Sequence, residues 1–238
     1  MLIRMIDDNG VVKDEQVERI IGLIDRYCTK LRENFQDGVE YNEHIYRIEA
    51  WAGGFKDSLN ELVQSRYMAR WFGQKVSKPF EEEMDQDELA DYQCHVYFYK
   101  NTFVRIFSVL DKLGYFMNEL FMLRTEKVKP RYSFFTVLRQ MSQASYAADL
   151  YSKLQRIKAE YKDPLNILRK KRNTEIHYIN VEMLDDMQQT RKHFTSNSHI
   201  EDLDHNMMIL EQGCQMVLQT METVFEVCSD RLPTSRAR

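Results

Sequence analysis

Residues 97–110 read YFYKNTFVRIFSVL and form the centre of a proline-free segment that extends from Glu88 to Glu126. Apolar side chains occupy well over half the circumference of a helix drawn through this segment. A helix with one solvated face would carry polar residues over most of its outer half, so this pattern is typical of a helix buried among others. We therefore predict a long central helix over residues 88–126.

The segments on both sides of this helix repeat apolar residues every three or four positions, which indicates amphipathic helices. We predict them at about residues 14–36, 41–73, 133–141, 145–162 and 203–228, and one more that starts at Asp163-Pro164, where Asp caps and Pro fits the first turn. Only 8 Gly and 4 Pro occur in 238 residues. These are too few for the turns of an all-β sandwich, and a P-loop or Rossmann enzyme would lack the glycines that hold its phosphates. The sequence predicts an all-α fold.

The positive charges of the chain are concentrated in residues 124–172. This segment holds 13 Lys and Arg against 4 Asp and Glu, a local charge of +9 in a chain whose net charge is −4. Such asymmetry is typical of an anion-binding site on an acidic protein. The aromatic residues among these cations either stack on single-stranded bases or belong to the core; they are Tyr132, Phe134, Phe135, Tyr146, Tyr151 and Tyr161.

The C-terminal end of the basic segment carries the most informative motif, Arg172-Asn173 followed by His177. On a helix, Asn173 and His177 share a face, and the long Arg172 side chain can reach round to them. A neutral imidazole can take a proton from a ribose 2′-OH or give one to a leaving 5′-oxygen. A guanidinium can bind the phosphorane dianion. One imidazole cannot do both in a turnover, so this chemistry favours a homodimer.

The motif resembles the Arg-x(4–6)-His motif of the HEPN (higher eukaryotes and prokaryotes nucleotide-binding) superfamily, and the aromatic helix around residues 99–106 resembles a bacterial subfamily. HEPN proteins are α-helical bundles, many of them metal-independent endoribonucleases of toxin–antitoxin, abortive-infection and CRISPR systems. The resemblance implies a HEPN-like up-and-down bundle with extra N-terminal helices, and catalysis by Arg172, Asn173 and His177 with no metal or cofactor. It also implies a homodimer that cleaves RNA, with any antitoxin a separate protein.

Four cations next to the motif are predicted to hold RNA phosphates: Lys162, Arg169, Lys170 and Lys171. We divide the chain into an N-terminal helical segment (1–80), the HEPN-like bundle (81–230) and a disordered tail (231–238), together forming one compact domain. The alternative interpretation of the motif is that its cations are a solvated face and that His177 is a structural histidine near a helix end.

Two other functions stay open. A non-enzymatic all-α module would use the basic segment to hold RNA, a nucleotide or an acidic partner. A metal-dependent bundle enzyme would use the i, i+4 pairs Glu40/His44 and Asp91/His95, although the chain contains no His-Glu-x-x-His motif.

The cysteines and the apolar stretches bear on the compartment. Cys28, Cys94, Cys214 and Cys228 are scattered with no Cys-x-x-Cys pair, and no apolar stretch reaches the length of a signal peptide or a membrane span. We expect a cytoplasmic protein that does not bind membranes.

Overall fold

The computed structural model describes residues 14–36, 43–177 and 200–231. Over these ranges the chain forms seven α-helices and no β-strand. The helices are α1 (Glu15–Gln36), α2 (Glu43–Gly73), α3 (Gln86–Leu120), α4 (Phe134–Met141), α5 (Ala148–Glu160), α6 (Lys162–His177) and α7 (Leu203–Arg231). The predicted all-α helical bundle is confirmed. None of the helices in these ranges is long and apolar enough to cross a membrane.

Aspartate side chains cap the N-termini of three of the helices. The carboxylates of Asp14, Asp85 and Asp202 accept hydrogen bonds of 2.8 to 3.2 Å from backbone amides two or three residues further along α1, α3 and α7. These amides have no partner within their own helix, and a negative charge at this end opposes the helix dipole. The caps therefore fix where each helix begins.

Helix α3 ends at Leu120, which corrects the predicted end at residue 126. Met122 and Arg124 adopt left-handed backbone conformations with φ of 47° and 55°, and the amide of Leu123 turns back to the carbonyl of Asn118 at 3.1 Å. A left-handed residue cannot continue an α-helix. Glycine or asparagine normally signals such an end, and neither occupies these positions.

The helix start predicted at Asp163-Pro164 is confirmed to within one residue. Helix α6 begins at Lys162, and only Tyr161 separates it from α5. Pro164 lies in the first turn of α6, where its missing N–H would have no intrahelical acceptor in any case. The sequence therefore places the start of the motif helix correctly.

The chain divides into two compact units. Unit 1 comprises the described residues that fall within Leu62–Val104 and Tyr161–Cys214, and unit 2 comprises those that fall within Lys13–Glu61, Arg105–Glu160 and Gln215–Arg238. Helices α2, α3 and α7 contribute residues to both. The boundaries predicted at residues 80 and 230 stay predictions.

Four aromatic rings form the centre of unit 2. Tyr27, Phe55, Phe116 and Phe225 come from α1, α2, α3 and α7, and each is at most 1% exposed. Their ring centroids lie 5.4 to 6.0 Å apart, mostly edge to face. Because edge-to-face contacts add to the free energy gained by burying apolar area, these rings hold the four helices together.

The core of unit 1 draws on α2, α3, α6 and α7. Its buried side chains include Met68, Phe103, Leu165, Leu168 and Leu210. Two of these residues belong to the motif helix, which is therefore anchored in the core of this unit along one face.

Candidate functional site

Arg172 lies on the anchored side of α6. Leu165 and Leu168 are buried, and Arg172 follows Leu168 by four positions, so the two share a face of the helix. The residue as a whole is half-buried and its Nε atom is shielded from solvent. The guanidinium therefore leaves the helix from its buried edge and is restricted in the directions that it can take.

Asn173 and His177 complete the predicted catalytic set. Asn173 is half-buried, and His177 is the last residue of α6. Four positions apart, they lie about 40° apart around the helix axis, whereas Arg172 lies about 140° from His177. The side chain of His177 lies outside the described residues. The structure thus brings the three positions to the last two turns of one helix, and the direction of the imidazole stays a prediction.

Lys171, predicted to bind phosphate, contacts side chains of unit 1 instead of projecting freely into solvent. Its ammonium donates to the carboxylate of Glu201 at 2.9 Å and to the side-chain oxygen of Asn206 at 3.2 Å. It also lies 5.3 Å from the centre of the Tyr99 ring, within the range of a cation–π contact. The amide of Asn206 donates to the same Glu201 carboxylate at 2.6 Å. Lys171 therefore joins the motif helix to α3 and to the start of α7.

The charge of Lys171 affects the ionisation of Glu201. Partial burial acts to raise the pKa of the Glu201 carboxyl. The hydrogen bonds from Lys171 and Asn206 and the positive charges of Lys171 and Lys100 together outweigh it, so the pKa lies below its ordinary value. Glu201 is therefore ionised at neutral pH, and the ion pair is complete there.

A second ion pair joins α6 to α3. The ammonium of Lys100 lies 3.5 Å from the carboxylate of Glu175, and the two side chains are only 18% and 19% exposed. Glu175 lies between Asn173 and His177 on the motif helix. The two ion pairs lie one before and one after Arg172 and Asn173, and they fix the last turns of α6 against α3 and against the residues that precede α7.

The other three cations predicted to bind phosphate differ in exposure. Lys162 and Lys170 are exposed and Arg169 is half-buried. The hydroxyl of Thr174 donates to the carbonyl of Lys170 at 3.0 Å, a bond within the helix that leaves the Lys170 ammonium unaffected. Lys170 and Lys171 are thus neighbours in sequence with different surroundings.

Tyr99 and His95 form a buried stack beneath Lys171. Their ring centroids are 6.0 Å apart with the planes 24° from parallel. Burial raises the pKa of Tyr99, and the negative charge of Glu201 adds to this, so the phenol stays neutral. The Tyr99 hydroxyl is buried with no hydrogen-bond partner among the described residues.

The metal hypothesis finds no support in the part of the chain that the structure describes. Burial lowers the pKa of His95, and its Nδ1 donates to the carbonyl of Ala69 at 2.8 Å, a bond that acts in the opposite direction. Asp91 pairs with Lys75 at 3.2 Å. No group of three or more potential ligands occurs among the described residues. Glu40 and the His44 side chain lie outside them.

The sequence does not predict that Tyr99, Glu201 and Asn206 contact Lys171. Tyr99 belongs to the aromatic segment of the central helix, which predicts a buried helix and not a contact with Lys171. Glu201 and Asn206 belong to no motif, and Glu201 is 30 positions from Lys171. The only local sequence signal near Glu201 is the capping residue Asp202, which predicts the start of a helix and not a contact with α6.

Comparison with protein families connects this arrangement to a known group. The model of the Cthe2314-like HEPN family matches residues 51–229, about three quarters of the chain, and the match includes α3, the motif helix and most of α7. Comparison with curated proteins and with solved structures gave no significant match. The resemblance to HEPN proteins drawn from the motif is confirmed, and the chain belongs to the Cthe2314-like HEPN family.

Proposed function

We propose that this protein is a cytoplasmic, metal-independent endoribonuclease of the HEPN type. The observation that supports the proposal best is the Arg172-Asn173 and His177 set, on the last two turns of a helix that two ion pairs hold in place. Membership of a HEPN family supports a nucleotide-binding or ribonuclease function in general terms. The residue chemistry then favours RNA cleavage over nucleotide binding alone.

The proposed reaction transfers a phosphoryl group within the RNA. The imidazole of His177 takes the proton of the ribose 2′-OH, and the 2′-oxygen attacks the adjacent phosphorus. The bond from phosphorus to the 5′-oxygen breaks, and that oxygen takes up a proton. The products are a 2′,3′-cyclic phosphate and a 5′-hydroxyl. Arg172 binds the charge that develops on the phosphorane, and Asn173 positions the phosphate or the imidazole.

The proposed active form is a homodimer. The reaction needs a base and an acid in the same turnover, and each chain supplies one motif histidine. If two motifs face each other, His177 accepts the 2′-OH proton while the partner subunit's His177 donates to the leaving oxygen. The biological setting that we propose is phage defence or a toxin–antitoxin system, in which a separate antitoxin protein restrains the nuclease.

The phosphate contacts that we propose come from Lys162, Arg169 and Lys170. We assign Lys171 a different part, because its ammonium is held by Glu201 and Asn206. Lys171 positions the motif helix, and through it Arg172, without contacting the RNA.

The reaction type is tested by the ends of the products. Single-stranded RNA is incubated with purified protein in EDTA, and the fragments are analysed by mass spectrometry. The proposal predicts 2′,3′-cyclic phosphate ends, and no cleavage at a position whose 2′-OH is replaced by hydrogen. RNA that is bound but never cut would instead support the non-enzymatic binding module, and cleavage that EDTA abolishes would support a metal-dependent enzyme.

A further inference from the structure

The turn that joins α3 to α4, residues 121–133, presents four exposed cations within eight residues. They are Arg124, Lys127, Lys129 and Arg131. None of the four pairs with a carboxylate among the described residues. Several other cations of unit 2 do contact carboxylates, namely Arg19, Arg32, Arg47, Lys56, Arg105 and Lys153. The turn also contains one exposed carboxylate, Glu126, so its four cations leave it a net charge of +3.

The backbone of the turn is held in a defined shape. Asn118 is buried at the end of α3, and its side-chain oxygen accepts from the amide of Thr125 at 2.9 Å. The Tyr146 hydroxyl donates to the carbonyl of Phe121 at 2.6 Å. A turn fixed in this way presents its cations without a large loss of conformational freedom when a ligand binds.

The left-handed conformations of Met122 and Arg124 also point to a binding role. Both residues have a Cβ atom and a φ near +50°, a conformation that costs free energy for any residue except glycine. Strained backbone of this kind occurs preferentially where a ligand is held. Here it directs the Arg124 side chain outward while Leu123 and Thr125 are buried.

A row of aromatic rings in unit 2 ends at this turn. The rings of Trp51 and Tyr115 are stacked with centroids 5.9 Å apart, and the rings of Tyr115 and Tyr132 are 4.5 Å apart. All three are half-buried, and Tyr132 directly follows Arg131. Cations beside accessible aromatic faces are the usual elements of a single-stranded nucleic-acid site, in which bases stack on the rings.

We propose that the turn at residues 121–133 is a second RNA-binding surface, at which the four cations contact successive phosphates of a single strand and Tyr132 stacks on a base. The choice of RNA rests on the proposed function. The same cations would also attract an anionic membrane, and the turn exposes Met122 (73%) and Val128 (67%). The aromatic row favours RNA, because segments that lie on membranes insert a long apolar helix face and the turn offers two apolar side chains.

The test compares two variants with the same change in charge. The turn variant carries Arg124→Gln, Lys127→Gln, Lys129→Gln and Arg131→Gln. The control variant carries Arg19→Gln, Arg26→Gln, Lys56→Gln and Lys153→Gln on α1, α2 and α5 of the same unit. Each binds a mixed-sequence RNA methylated at every 2′-oxygen, which cannot be cut, and affinity is measured by fluorescence anisotropy at several salt concentrations. Matching circular dichroism spectra and melting temperatures establish that both variants fold.

We expect the turn variant to bind RNA at least about tenfold more weakly. The slope of log affinity against log salt concentration should become shallower by about 2 to 3, because each phosphate contact on a single strand contributes about 0.7 to that slope. The control variant should change the slope by less than about 1. Equal losses in both variants would overturn the proposal. So would an unchanged RNA affinity together with loss of binding to phosphatidylserine vesicles, because the turn would then serve a membrane.

This test is independent of catalysis. Because the probe cannot be cleaved, a protein with no nuclease activity can still show binding that depends on the turn, and an active nuclease can show none. RNA carrying 4-thiouridine provides a second readout: after irradiation, we expect the crosslink on the peptide that contains Tyr132. A crosslink confined to peptides outside residues 121–133 would contradict the proposed surface.

Discussion

The ammonium of Lys171 lies 2.9 Å from the carboxylate of Glu201, and Lys171 directly precedes Arg172 of the proposed catalytic motif on helix α6. Lys171 is 27% exposed and also covers the face of Tyr99. A lysine in this position restricts the rotation of α6 about its axis, because its side chain is attached to α3 and to the residues before α7. Arg172 and Asn173 follow it on the same turn and are held with it.

Replacing Lys171 should therefore lower turnover more than RNA affinity. We expect Lys171→Met to reduce kcat about tenfold with little change in KM, and to destabilise the fold by about 0.5–1 kcal/mol, as expected for a partly exposed ion pair. The matched control is Lys170→Met, which removes the same charge one position earlier. That variant should raise KM and flatten the salt dependence of binding by about 0.7 with an unchanged melting temperature. Single-turnover kinetics separate the two; identical effects of both changes would contradict the positioning role.

Gly73, the last residue of α2, should tolerate no side chain. A Cβ atom there would lie 2.6 Å from Nδ1 of His95. The imidazole is 2% exposed and bonded to the carbonyl of Ala69, so it cannot move aside freely. We expect Gly73→Ala to lower the free energy of unfolding by about 1–3 kcal/mol in urea denaturation.

Gly53, in the interior of the same helix, provides the control for that substitution. Nothing lies within 4 Å of a Cβ atom built at this position. Alanine is the better helix former, so Gly53→Ala should raise the free energy of unfolding by up to about 1 kcal/mol. Destabilisation of equal size at both positions would show that contact with His95 is not the cause.

The buried His95 should make the fold sensitive to mild acid. Burial holds the pKa of this imidazole below its ordinary value, and the hydrogen bond to Ala69 only partly opposes this. Below about pH 6.5 an unfolded histidine binds a proton that the folded one does not, so unfolding becomes easier as the pH falls. The contribution is lost from about pH 6.5 down to the folded pKa, at up to about 1.4 kcal/mol per pH unit.

His95→Asn tests this pH dependence, because an Asn side-chain amide can replace Nδ1 as the donor to Ala69 and does not titrate. Urea denaturation at pH 7, 6 and 5 should show that the wild type loses stability relative to His95→Asn as the pH falls. A difference between the two proteins that stays constant over this range would mean that His95 does not titrate with a lowered pKa.

The fold could be predicted where a helix follows its apolar repeat. Val17, Ile20, Ile24 and Tyr27 of α1 recur at three and four positions, and all four are buried. The repeat indicates which face of a helix is buried, and the packing of that face contributes most of the stability of these helices. The end of α3 was missed because it depends on the left-handed backbone of Met122 and on the bond from the amide of Leu123 to the carbonyl of Asn118, which the repeat does not encode.

The site could be predicted only as far as the motif itself. Arg172, Asn173 and His177 lie on the last two turns of one helix, so their spacing is enough to place the three positions near one another. Tyr99 and Glu201 are distant from Lys171 in the sequence, and only tertiary packing makes them its neighbours. The sequence indicates which residue types can bind RNA phosphates. It does not indicate that Lys171, one of the four cations predicted to do so, forms an ion pair with Glu201.

The proposed function depends most on His177 carrying out the proton transfer that cleaves RNA. Its most direct test is the single-turnover rate of cleavage of a defined single-stranded RNA in EDTA, measured for the wild type, for His177→Ala and for the matched control His205→Ala. His205 is exposed on α7 and has no part in the proposed reaction. We expect His177→Ala to lose at least about 100-fold in rate while His205→Ala keeps the wild-type rate. Equal rates for the wild type and His177→Ala, including no cleavage by either, would contradict it.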